Sequence, residues 1–137
     1  MDLTIAQALE RGVAAHKEGK LQEAEKLYRA ILQSQPQHPD ANHNLGLIAV
    51  GVGKVEGAIP HFKAALAANA KMEQYWLSYI DALIKLNQMD TAKAVLEQAR
   101  GSGLQGEKFD NLQVQLTDGA GSSLRSELNG LIALYQP

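Results

Sequence analysis

The chain of 137 residues contains no cysteine. That absence excludes disulfides, thiolate zinc sites and a cysteine nucleophile, and it agrees with a reducing compartment. No stretch of about eighteen apolar residues occurs, and the opening Met1-Asp2-Leu3-Thr4 lacks a basic region followed by an apolar run. Neither sign of charge is in excess: thirteen Lys and Arg face fifteen Asp and Glu, a net charge of -2. Such a balance leaves no electrostatic footprint for a polyanion. A cytoplasmic protein with no nucleic-acid partner and no membrane partner is expected. With 45% hydrophobic and 20% charged residues, the chain has the composition of one folded globular domain.

A period of 34 residues is present. Gly12 falls on Gly46, Ala15 on Ala49, Gly19 on Gly53, Ala24 on Ala58 and Tyr28 on Phe62. A further shift brings Ala58 onto Ala92, Phe62 onto Leu96 and Leu66 onto Arg100, so the third copy is degenerate. In the middle copy Asn42, Leu45, Gly46 and Ala49 precede Gly53, and Ala58, Phe62 and Ala65 follow it. The spacing of three and four is helical on both sides, and Gly53 can take the left-handed conformation that ends the first helix. The repeating unit is a helical hairpin.

These residues resemble the tetratricopeptide repeat, whose pattern places an aromatic, Leu-Gly and Tyr in a first helix and Ala, Phe and Pro in a second. Ala8, Gly12, Ala15, Ala24, Tyr28 and Pro36 follow it in the first copy, and Leu45, Gly46, Ala58 and Phe62 in the second, where Ala70 replaces the proline. Trp76, Ala92 and Ala99 follow it in the third, where Ile80 replaces glycine. The resemblance implies an all-α, right-handed superhelical solenoid of three antiparallel helical hairpins, about 3–36, 37–70 and 71–104, with C-terminal helices over 105–137. The first copy is also similar to the tetratricopeptide tracts that precede bacterial glycosyltransferase or sulfotransferase domains.

Helices are expected near 3–17, 21–34, 40–51, 55–69, 72–86 and 89–100. Asp40, after Pro39, is placed to cap the third helix, and Asp90 or Thr91 the sixth. Pro60 falls about one turn into the fourth helix, which should start late or bend there. After Arg100 the period fails. A short amphipathic helix is expected over Glu107 to Leu116, then a loop at Asp118-Gly119-Ala120-Gly121-Ser122, then a last helix from about Ser123 with Leu124, Leu128, Leu131, Ile132 and Tyr135 in one stripe. That stripe reads either as a cap on the open end of the stack or as the first helix of another repeat. In the second case the chain is the N-terminal piece of a longer protein, and the helix folds back or pairs with a second copy.

Nothing in the sequence points to chemistry. His16, His38, His43 and His61 form no i, i+4 pair, so no metal site is expected, and all four read as solvent-facing. Gly51-Val52-Gly53 is explained by the hairpin turn rather than by a phosphate loop. Glu23 and Glu25, beside Lys26 and Lys20, read as exposed helix charges, and Asp81 precedes Lys85 by four residues, as a helix ion pair requires. No carboxylate dyad stands out, Ser78 has no His and Asp arranged near it, and no cofactor is expected.

A surface remains. The resemblance implies a concave groove lined by the first helices that binds an extended peptide or a partner helix. Carried onto this chain, the groove presents Leu9, Val13, His16 and Lys17, then Asp40, His43, Asn44, Leu47 and Val50, then Gln74, Leu77, Ser78, Asp81 and Lys85. Asn44 stands out because an amide both donates to and accepts from one peptide unit. Its equivalents are Glu10 and Ser78, so no asparagine ladder is present. Family members that clamp a chaperone's terminal carboxylate use lysines, an arginine and asparagines; acidic Glu10, Asp40 and Asp81 disfavour such a ligand here and suit a basic or amide-rich one. Trp76, at the family's aromatic position, either packs in the core or stacks on a ligand. The expectation is a non-catalytic interaction module, with a front-end module of a larger enzyme and a self-assembly element as the alternatives.

Overall fold

The computed structural model describes residues 3–120. Within them lie seven helices: α1 (Ile5–Lys17), α2 (Leu21–Ser34), α3 (Pro39–Gly51), α4 (Val55–Ala68), α5 (Glu73–Lys85), α6 (Met89–Gly101) and α7 (Glu107–Ala120). No strand occurs among the described residues. The first six pair as the hairpins α1–α2, α3–α4 and α5–α6, each packed on the next, and α7 lies on α6. The stripe from Leu124 to Tyr135 lies outside the described residues.

Each hairpin closes in the same way. The C″ N–H of Lys20, Lys54 and Gln88 bonds the carbonyl five residues back, at Ala15 (2.8 Å), Ala49 (2.8 Å) and Leu83 (2.9 Å). This bonding needs a left-handed residue just before the donor. Gly19 (φ 80°), Gly53 (φ 82°) and Asn87 (φ 59°) supply it at intervals of 34. Asparagine is the side-chain-bearing residue best suited to that conformation, which explains the substitution in the third turn.

The helix starts correct the expected caps. Thr4 and Gln7 form a reciprocal capping box at α1. At α3 the cap is His38, whose Nδ1 accepts from the Ala41 N–H at 3.1 Å, and Asp40 already lies in the first turn. Pro39 displaces the boundary by fitting the first helical position. Helix α6 starts at Met89 with no side-chain cap, so neither Asp90 nor Thr91 serves. Helix α4 begins at Val55 and contains Pro60, which rules out a late start and leaves the Glu56 carbonyl without its helical donor. The loop expected from Asp118 is not observed up to Ala120, because α7 continues through it. The repeat also outlasts its sequence signature: α3, α5 and α7 start at residues 39, 73 and 107, each 34 apart.

Ala24, Ala58 and Ala92 are wholly buried, as are Tyr28 and Phe62, with Leu96 nearly so. The core is in two parts. One gathers Ala8, Ala15, Tyr28 and Ile31 with Ala41, Leu45 and Ile48 of α3. The other runs from Phe62 through Trp76, Ile80 and Leu96 to Phe109 and Leu116 of α7, with Leu47, Ala49 and Val50 of α3 leaning on it. Helix α3 is the wall they share.

Candidate functional site

The candidate groove is built on α1, α3 and α5, and its polar residues are largely bonded to one another. His43, expected at the surface, is buried between Phe62 (ring centroids 5.6 Å apart) and Tyr75 (4.9 Å). Its Nδ1 donates to Asn44 Oδ1 (3.3 Å), and its Nε2 accepts from the Ser78 hydroxyl (2.8 Å). Gln74 Nε2 donates to the same Ser78 oxygen at 3.2 Å. One turn earlier the Tyr75 hydroxyl donates to the Asp40 carboxylate. These bonds tie α3 to α5 across one repeat boundary. Burial pushes the His43 imidazole below its ordinary value, against the opposing pull of Asn44 and Asp40, and so favours the neutral ring that this bonding uses. Burial and the Asp40 carboxylate both push the Tyr75 phenol well above its usual range.

The chain of polar contacts continues toward the first repeat. Burial raises the Tyr28 phenol, and the Asn44 amide close to it opposes that rise. His16 Nδ1 lies 3.4 Å from the Tyr28 hydroxyl. The other two histidines also have partners: His38 caps α3, and His61 Nδ1 donates to Asn42 Oδ1 at 3.0 Å. Asn42 in turn donates to the carbonyls of Pro36 (3.1 Å) and His38 (3.2 Å), pinning the connection between the first two hairpins. His43 alone is buried against the expectation from spacing; the other three are half-buried and keep some exposure.

Leu9, Val13, Asn44, Leu47, Val50 and Leu77 are half-buried, in register along the three first helices. Asp81 and Lys85 are exposed and form the expected ion pair at 2.9 Å, so this lysine already has a carboxylate. The ion pairs on the first hairpin are Arg29 with Glu25 (2.8 Å) and Lys20 with Glu18 (3.2 Å). Trp76 is in the core, its Nε1 donating to the Ala70 carbonyl at 2.7 Å. No cluster of three metal-ligating side chains occurs among the described residues. No helix there is long and apolar enough to cross a membrane.

Helical hairpins stacked one on the next, with polar ties between neighbours, define a helical repeat solenoid, as in its structural neighbours. Tetratricopeptide repeat family profiles match residues 8–39 and 49–116, together 100 of the 137 positions, and the chain belongs to the tetratricopeptide repeat proteins. Similar solved structures include the first such domain of Spaghetti (RPAP3) bound to the HSP90 peptide SRMEEVD, at 19% identity, 85% of this chain, 93% of that one and TM-score 0.76. The Sgt2 domain from Aspergillus fumigatus aligns at 19% identity over 88% of this chain and 82% of that one, with TM-score 0.75. The Yersinia enterocolitica type III secretion translocator chaperone SycD aligns at 15% identity over 92% and 90%, with TM-score 0.71. No curated protein matches the chain.

Proposed function

We propose that the protein is a non-catalytic interaction module that takes an extended peptide segment along the first helices. One observation carries this reading: half-buried aliphatic side chains recur on all three first helices, at Leu9, Val13, Leu47, Val50 and Leu77, while polar groups among them are satisfied within the fold. A surface of this kind gains by covering apolar area and loses little by desolvation. Asn44 sits at its centre. Its oxygen is held by His43, and its amide nitrogen carries two hydrogens, so one remains for a peptide carbonyl beside the Tyr28 hydroxyl. A structural relative with a bound HSP90 peptide supports the peptide mode. The carboxylate clamp is disfavoured here, because Lys85 is paired with Asp81 and Glu10 stands near Lys17 in the groove.

Selection of a random-peptide library on the folded protein tests the site. Selected peptides should lose at least about tenfold in affinity, roughly 1.4 kcal/mol, on Asn44→Ala or Leu47→Asp in variants whose urea midpoints are unchanged. Peptides that bind both variants at wild-type strength overturn the reading. A narrower proposal rests on the sequence reading of the first repeat alone: a cytoplasmic bacterial module that selects substrates for an attached glycosyltransferase-like or sulfotransferase-like enzyme. The mass of the native polypeptide in its source cell checks it.

A further inference from the structure

The stack contains two equivalent clefts away from the groove, one period apart, and they are chemically unlike. The first lies between α2, α3 and α4, has a volume of about 210 Å³, and is closed by its own polar pairs. Arg29 bonds Glu25 at 2.8 Å, and His61 bonds Asn42 at 3.0 Å. A shift of 34 residues turns Glu25 into Ile59, Arg29 into Lys63, Asn42 into Trp76, Leu45 into Tyr79 and His61 into Val95. The second cleft, between α4, α5 and α6, has a volume of about 500 Å³ and is lined by Leu66, Ala67, Trp76, Tyr79, Ala94 and Val95, with Lys63 on its rim.

Two polar groups there bond to nothing among the described residues. Lys63 is exposed, and the carboxylate that its equivalent Arg29 uses has become an isoleucine. The Tyr79 ring is buried, but its hydroxyl reaches solvent at the cleft and makes no hydrogen bond to the described residues, whereas Tyr28 and Tyr75 both have partners. The cleft therefore offers an apolar floor, a hydroxyl and an unpaired ammonium group.

We infer that the α4–α6 cleft is a second docking site, for a partner protein segment that presents an apolar side chain next to a carboxylate. The apolar side chain lies on Ala67, Ala94 and the Trp76 ring, and the carboxylate accepts from Tyr79 and Lys63. The complementarity is the one that Glu25 provides internally in the first cleft. The cleft is open to solvent, so a free small molecule would stay largely uncovered, which favours a segment held by further contacts.

Trp76 is the only tryptophan, so its fluorescence reports on this cleft directly. The probe is an acetylated, amidated pentapeptide Ala-Leu-Glu-Leu-Ala, titrated against the whole chain. A saturable change is expected, weakened at least about tenfold when the peptide Glu becomes Gln, lost in Lys63→Glu, and regained in Lys63→Glu with the peptide Glu replaced by Lys. Tyr79→Phe should weaken binding several-fold with the urea midpoint kept. The site is overturned by no saturable change in the wild type, or by equal binding of the Glu and Gln peptides. Octanoate binding as tightly as the peptide overturns the segment as the occupant. None of these results bears on the concave groove, which shares no residue with the cleft.

Discussion

Between α3 and α4 a glycine faces an aromatic ring, whereas between α5 and α6, one period on, two aliphatic side chains meet. A Cβ on Gly12 would lie 2.6 Å from Tyr28 Cε1, and one on Gly46 would lie closer still to Phe62. The corresponding pair in the third hairpin is Ile80 and Leu96, both essentially inaccessible. The small partner has grown and the large one has shrunk, so the contact is kept while the identities change. The repeat keeps the space between its two helices filled, as close packing requires, although the aliphatic pair is bulkier in sum than the glycine and ring it replaces. Single columns of the third copy depart from the first two, but the pair that closes its hairpin is still filled.

Four changes would break or sharpen that comparison. The largest effect is expected for Phe62→Ala, which empties the ring's place against Gly46 and should cost about 3 to 5 kcal/mol by urea denaturation. Next, Gly46→Ile alone overpacks the second hairpin and should cost about 3 kcal/mol, whereas Gly46→Ile with Phe62→Leu transplants the third hairpin's pair and should recover at least about 1 kcal/mol of it. A double variant no better than the sum of its parts would show that the pairs are not interchangeable.

The third change concerns the column Leu9, His43, Leu77, where the middle repeat alone carries a titratable group. His43 is faced by Asp40 and Asn44 from its own helix, Phe62 from α4, and Tyr75 and Ser78 from α5. Its pKa is lowered in the fold, so the unfolded chain binds the proton more readily. Stability is then complete above about pH 6.5 and falls as pH drops through that value toward the folded one, by about 1.4 kcal/mol per unit of separation. His61, lowered by burial and by Arg29, adds in the same direction. Urea midpoints at about pH 5 and about pH 7.5 should differ in the wild type and differ less in His43→Leu. The smallest effect belongs to the turns: Asn87→Ala should cost about 0.5 to 1 kcal/mol, and Asn87→Gly, which copies Gly19 and Gly53, should leave the melting temperature unchanged or raised.

The parts of the molecule legible in the sequence are those set by short-range periodicity. The alanine columns, the turn at Gly53 and six helices within two residues of their ends all follow from spacing. What spacing missed depends on partners one repeat away: Asp40 meets Tyr75 and His43 meets Ser78, both at a separation of 35 residues. A single helix face gives no hint that its histidine will be covered by the next hairpin. The Asn87 turn was visible in principle, since it stands one period after Gly53 and asparagine tolerates the left-handed region. The fourth first-helix position was hidden for another reason. Helix α7 keeps the backbone register, but carries Val114 where Gly46 and Ile80 stand, and that valine is 60% exposed.

The divided core has a consequence for how the chain comes apart. Among the described residues each helix packs mainly on its neighbours in sequence, and the contact of α3 with α5 is the strongest tie that skips an element. Energies in such a stack add from one neighbour to the next rather than across the whole body. The α1–α2 hairpin can then open as a unit that uncovers one face of α3 and leaves the cluster from Phe62 to Leu116 closed. Amide protons of α1 and α2 should exchange in a faster class than those of α5 and α6, with α3 divided between the two according to which wall each residue faces.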